Sequence, residues 1–265
     1  AVAAMLTMII FMFVGNWLLE FFGVAPEPVS EGKPPIGELH GAIVFDGIDF
    51  AYPGRESVLK GFSLEIAAGE TIALTGANGA GKSTLAHLLM RFIDPDRGEI
   101  RVDGKNIADF DLRSLRDQVG LVAQNTLLLN GTVAENIAYG VPDATAEQMK
   151  KAAKAARAND FIAALPDGYE TLIGDQGVRL SGGQRQRLSL ARTLLMDPPI
   201  LVFDEATAMF DPQGEQEFLD SCREALEGKT AILITHRPIG AHLADRIVRL
   251  PTKESSTTDD TMDSA

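Results

Sequence analysis

The sequence predicts an α/β fold: a mostly parallel sheet covered by helices, entered through an antiparallel β element. Three observations carry this. Short apolar runs at Thr71 to Thr75, Val119 to Ala123, Ile200 to Phe203 and Thr230 to Ile234 have the length and composition of buried strands. They alternate with helical stretches at Leu85 to Phe92, Ala146 to Ala156, Gln184 to Leu195 and Glu215 to Leu226, the rhythm of a helix-covered parallel sheet. Ahead of them, β-rich runs at Ala42 to Phe50 and Phe62 to Ile66 flank a Pro53-Gly54 turn, which predicts antiparallel pairing at the domain's start.

The flanks differ in character. Ala1 to Leu19 carries no charge and, as a helix, would extend roughly 28 Å, which is borderline for a bilayer. Residues 1–25 are read as the end of a transmembrane segment, against a buried or dimer-facing helix and a membrane anchor or signal; the absent initial Met suggests a fragment. Residues 26–40, dense in Pro and Gly, form a linker before a domain at 41–250. The stretch 251–265, polar and without a large aliphatic residue, is expected to be a disordered tail. A net charge of −13 argues against a nucleic-acid partner, which would need clustered Lys and Arg. The single cysteine, Cys222, can form no disulfide within the chain.

The strand Thr71 to Thr75 runs into Gly76-Ala77-Asn78-Gly79-Ala80-Gly81-Lys82-Ser83, followed by Thr84 and an apolar helix. Glycines at this spacing let successive backbone N–H groups curl around an anion, and the helix N-terminus adds its positive dipole end. Lys82 supplies a point charge for β- and γ-phosphates, and Ser83 a hydroxyl for Mg²⁺. Farther on, Ile200 to Phe203 ends in Asp204-Glu205, two carboxylates at the carboxyl edge of a buried strand, where parallel sheets bind ligands. Asp204 would hold Mg²⁺ through its water shell, and Glu205 would orient the water that attacks the γ-phosphorus.

Leu180-Ser181-Gly182-Gly183-Gln184 precedes a basic helix. Its bland reading is a Ser-capped turn, yet a helix N-terminus with exposed N–H groups is also how an anion site is made. Here the chain resembles the ABC ATPases, whose signature motif is LSGGQ. The resemblance covers approximately Glu38 to Leu250 and implies a P-loop NTPase with an N-terminal antiparallel β subdomain and a helical subdomain carrying the signature. It implies ATP and Mg²⁺ as ligands. It also implies a head-to-tail dimer in which Ser181, Gly182, Gly183 and Gln184 of one copy face the phosphate loop of the other. Tyr52 resembles the aromatic on which adenine stacks, Gln124 the Gln that senses Mg²⁺ and water, His236 the switch histidine, and Asp211 the aspartate that reports across the dimer.

Asn130 to Gly140 and Gly174-Asp175-Gln176-Gly177 resemble segments of exporters that fuse membrane and ATPase parts, which implies a transmembrane-domain partner and a place on the cytoplasmic face of the cell membrane. Two departures stand out. Ala208-Met209-Phe210 replaces the family's usual Ser-Ala-Leu, and Pro251 with a polar tail replaces a further helix. An importer-type ATPase subunit, a soluble ABC ATPase of DNA repair or translation, and a catalytically silent scaffold are the rival readings. The exporter-like segment and apolar N-terminus count against the first. The absence of a coiled-coil insertion or tandem ATPase counts against the second, and intact Glu205 and His236 against the third.

Overall fold

A computed structural model describes residues 32–174, 177–207, 210, 212–236 and 243–251. The expectations for residues 1–25 and the tail beyond 251 lie outside the described residues, as do Asp175, Gln176, Ala208, Met209 and Asp211.

The antiparallel element consists of β1 (Ile43–Ala51), β2 (Ser57–Ile66), β4 (Arg97–Val102) and β5 (Lys105–Asn106), in the order β2-β1-β4-β5. The second sheet has five strands in the order β11-β3-β10-β9-β6 and is parallel throughout: β3 (Thr71–Thr75), β6 (Val119–Val122), β9 (Ile200–Asp204), β10 (Thr230–Ile234) and β11 (Arg246–Arg249). Its middle strands are apolar along their length because both faces are covered. Alternation divides their side chains between two cores. Ile200, Val202, Ile232 and Ile234 pack with Leu85, Leu88 and Leu89 of α1 (Lys82–Leu89) and with the antiparallel sheet through Ile43 and Phe45. Leu201, Phe203, Ala231 and Leu233 pack with Leu188, Leu190 and Ala191 of α6 (Gly182–Met196) and with Phe218 and Cys222 of α7 (Pro212–Leu226).

Short helices α2 (Leu112–Arg116), α3 (Val133–Ala138), α4 (Ala146–Ala155) and α5 (Asn159–Ala163), two 3-10 turns (Ile107–Asp109 and Gly168–Glu170) and a small antiparallel pair, β7 (Gly131–Thr132) with β8 (Leu172–Ile173), complete the regular elements among the described residues. α3 and α4 each start on a capping box, Thr132 with Glu135 and Thr145 with Gln148. Among the described residues no helix is long and apolar enough to cross a membrane.

The structure moves several boundaries. α1 begins three residues before the expected Leu85, at Lys82, because Gly81 takes the N-cap with φ 97°. It stops before Phe92, because Arg91 turns left-handed at φ 49°. The Arg91 guanidinium, 2% exposed, grips Asp94 and the carbonyls of Ile107 and Phe110, so a tertiary anchor ends the helix. β2 starts at Ser57 instead of Phe62, extended by register pairs Phe50↔Leu59 and Ala51↔Ser57 across the Pro53-Gly54 turn.

Candidate active site

β3, β9 and β10 end together. Ile234 stands opposite both Leu74 and Asp204, so the loop after β3, the Asp204-Glu205 pair and His236 emerge at one edge of the sheet. An open cleft of about 790 Å³ lies there, which Asn78, Gly79, Gly81, Lys82, Ser83 and Thr84 share with Tyr52, Glu205 and His236.

The loop has the geometry of an anion cradle. α1 starts without a side-chain cap and without an acidic residue in its first turn, so its leading N–H groups face the cleft. Gly81 cannot be replaced cheaply: a Cβ there would lie 2.9 Å from Leu59 Cδ2 and 3.0 Å from Val58 Cγ1, on top of its left-handed φ. Lys82 bends back over the loop, its Nζ donating to the carbonyls of Gly76 and Ala77 at 3.0 Å each, while Ala80 N bonds Ala77 O. Burial holds the Lys82 ammonium below its usual range, with the charges of Glu205 and Asp204 opposing that shift. A phosphate in the cradle would give this ammonium a stronger partner than two carbonyls.

Ser83 donates from Oγ to Asp204 Oδ1 at 3.0 Å. Burial pushes the Asp204 carboxyl above the ordinary range; the Ser83 bond lowers it, the Glu205 charge raises it further, and His87 and Lys82 pull it down. Glu205 sits at φ 47°, a left-handed conformation that a non-glycine residue keeps only when its surroundings hold it. Here its backbone N–H is tied to Ile234 O at 3.0 Å. Both carboxylate oxygens are engaged. Gln124 Nε2 donates to Oε2 at 2.9 Å, and His236 Nε2 stands 3.0 Å from Oε1. A carboxylate so oriented at the rim of a phosphate cradle can polarise a water in line with a terminal phosphate. Among the described residues no group of three or more His, Cys, Asp or Glu could cage a metal. A hydroxyl beside one carboxylate nonetheless suits Mg²⁺, which keeps several waters and is usually shared with substrate phosphates.

Tyr52 lies edge-on to Phe50 at 4.9 Å between centroids, its hydroxyl 3.3 Å from Thr84 Oγ1, and its ring forms part of the cleft wall.

The other predicted residues are elsewhere. Ser181 caps α6 in a full capping box with Gln184, so the bland reading of that residue also holds. Ser181, Gly183 and Gln184 line a second open cleft of about 620 Å³ with Arg187, Phe210 and Glu217. The two clefts share no lining residue, and Ser181, Gly183 and Gln184 are not among the residues that line the cleft at the phosphate loop. Gly182 opens the helix, and a Cβ on Gly183 would press on the Phe210 ring at 2.9 Å. The exporter-like stretch Asn130 to Gly140 and the basic helix after the signature were read without foreseeing how they join: Asn136 bonds both main-chain groups of Leu129 and the Thr132 carbonyl, and Arg192 bonds Asn136 from α6.

A strand leading through a glycine-rich loop into an uncapped helix, with an acidic pair at the end of the parallel strand one place beyond its neighbour, defines a phosphate-binding α/β domain of the nucleotide-binding class. The comparisons give the family. An ABC transporter family profile matches residues 59–208, and the chain belongs to that family. It is 47% identical over 238 residues to the ATP-dependent lipid A-core flippase of Alkalilimnicola ehrlichii, covering 89% of this chain and 40% of that protein. It is 44% identical over 212 residues to a putative multidrug export ATP-binding/permease protein of Bacillus subtilis, covering 80% of this chain and 37% of that protein. A solved bacterial Atm1-family ABC exporter with ATP bound superposes with a TM-score of 0.80 at 42% identity, over 86% of this chain and 40% of that one. The chain thus spans about two fifths of the length of these relatives.

Proposed function

We propose that this chain is the ATP-hydrolysing engine of an ABC exporter, working as a head-to-tail pair of ATPase domains attached to a transmembrane domain at the cytoplasmic face of the membrane. The observation that carries the reading is the convergence of Lys82, Ser83, Glu205 and His236 on one cleft at the sheet edge. Gly76, Gly79, Gly81 and Lys82 bind the β- and γ-phosphates, and Tyr52 offers its ring to adenine. Ser83, Asp204 and Gln124 would hold Mg²⁺, which supplies neutralisation of the charge shared by the β- and γ-phosphates. Glu205, steadied by Gln124 and His236, orients a water for attack on the γ-phosphorus. As the new P–O bond forms, the water's proton passes through Glu205 to the departing phosphate, and the bond from the γ-phosphorus to the bridging oxygen breaks to leave ADP and phosphate. Ser181 and Gly183 of a second copy close over the γ-phosphate, which motivates the pairing because the two clefts of one chain are separate. ATP therefore draws two copies together and its hydrolysis lets them part, moving the attached membrane helices. The similarity to a lipid A-core flippase and to a multidrug export protein supports export in place of import, and the acidic charge leaves nucleic acid aside.

Phosphate release from Mg-ATP tests this. Glu205→Gln is expected to lower kcat by about 100-fold or more while ATP still binds. Turnover at the parent rate would show that Glu205 does not serve the attacking water.

A further inference from the structure

Gln186 lies in the second turn of α6, only 1% exposed. Its Nε2 donates to two consecutive carbonyls of the loop after β6, Ala123 O at 3.1 Å and Gln124 O at 2.7 Å. Because both partners are acceptors, the amide is fixed with Nε2 toward the loop and Oε1 away from it. The residue whose carbonyl is held, Gln124, is the one whose side chain donates to Glu205. Gln186 Oε1 and Thr126 Oγ1 are both buried and have no hydrogen-bond partner among the described residues. Both residues border a cavity of about 70 Å³, shared with Gln124 and Arg185, that is lined by polar residues and roomy enough for water. Buried polar atoms in folded proteins are paired with few exceptions, so two unpaired ones on one such cavity point to a shared partner.

We propose that Gln186 is a positioning residue for hydrolysis: with a water held between its Oε1 and Thr126 Oγ1, it clamps the main chain at Ala123 and Gln124 to α6 and so sets Gln124 against Glu205. The proposal rests on the reading of Glu205 given above. Its consequence is a mechanical link between two half-sites of one chain. The Ser181 end of α6 closes on one ATP, and the carbonyl of Gln124, tied to that same helix, moves with it and adjusts the carboxylate that serves the other.

The test is a double-mutant cycle on ATP hydrolysis by the full chain with Gln186→Leu, Gln124→Ala and both, alongside binding of a fluorescent ATP analogue. Gln186→Leu keeps the volume and donates nothing. It is expected to cut kcat by about 10- to 100-fold with KM changed less than about twofold, and to add no loss in the Gln124→Ala background. Additive losses, or a per-molecule kcat equal to the parent's, would overturn the proposal. Thr126→Val, a milder change, is expected to lower kcat several-fold in the parent and not at all in Gln124→Ala. A crystal structure is expected to show a water between Thr126 and Gln186, and a dry cavity would remove it from the account. If Glu205→Gln turns over like the parent, the reading of Glu205 fails by itself. Amide exchange at 123–126 still decides the clamp: faster in Gln186→Leu supports it, unchanged overturns it.

Discussion

Burial moves Lys82 and Asp204 off their ordinary titration ranges in opposite directions, because it disfavours the charged form of each. Both are groups that the proposed site uses as ions, so the site is bought with stability. The sign for Asp204 follows from its raised folded-state pKa. The native state holds that proton more tightly than the unfolded state, so its contribution favours folding at low pH and is lost as pH rises from the ordinary carboxylate value through the raised one. Asp204→Asn is therefore expected to melt higher than the parent near pH 7 without nucleotide, by about 2–4 °C per kcal/mol released. The gain should shrink toward pH 4 and be accompanied by loss of hydrolysis; a lower melting temperature near pH 7 would contradict this. At this scale the sequence was informative wherever spacing carries the chemistry, as in Gly76 to Ser83 and Asp204-Glu205. Tyr52, Gln124 and His236 are single residues and came only through the family resemblance. The Gln124–Glu205 bond joins positions 81 apart, and the left-handed backbone of Glu205 depends on Ile234, so neither could be read in advance.

Among elements, strands buried on both faces were legible: β3 and β10 match their expected limits end to end, because a continuous apolar run is what such a position demands. β4 and β11 gave no comparable signal, since charge interrupts both and edge or single-face strands tolerate it. The β4–β5 hairpin had a local cue in Asp103-Gly104, a pair suited to two left-handed turn residues, and both have positive φ. Asp103 does more than turn the chain. Its carboxylate accepts from the backbone N–H groups of His40, Gly41 and Ala42 and so moors the entry to β1. Burial raises its pKa, but those three bonds, helped by the charge interaction with the His40 side chain, outweigh burial and leave it below the usual value. Its stabilising contribution is present above the ordinary carboxylate pKa and lost as pH falls through the lowered one. Asp103→Ala is expected to cost about 2–3 kcal/mol in urea unfolding at pH 7, with a smaller difference in acid, and no change would contradict the mooring. Beside the start of α6, Phe210 is tilted against Phe218 and lies close under Gly183. Gly183→Ala should therefore displace the ring and lower ATPase activity, with partial recovery in Gly183→Ala/Phe210→Leu. Equal activity in the single and double variants would show that the ring does not matter.

For the whole molecule, the α/β architecture and the antiparallel element were both legible, because βα alternation and the early β-rich runs are long-range patterns. The relation of the signature segment to the phosphate loop came only through the family resemblance, since it depends on how α6 and the helices around it are set against the sheet. That relation is what makes two copies necessary in the account. The most direct measurement is light scattering of the chain carrying Glu205→Gln in saturating Mg-ATP, beside the parent and a Ser181→Arg/Glu205→Gln variant. The account predicts an ATP-dependent dimer for Glu205→Gln, transient or absent dimer for the parent, and a monomer when Ser181 is blocked. A Glu205→Gln chain that stays monomeric, or dimerises equally with Ser181 blocked, would contradict the composite site.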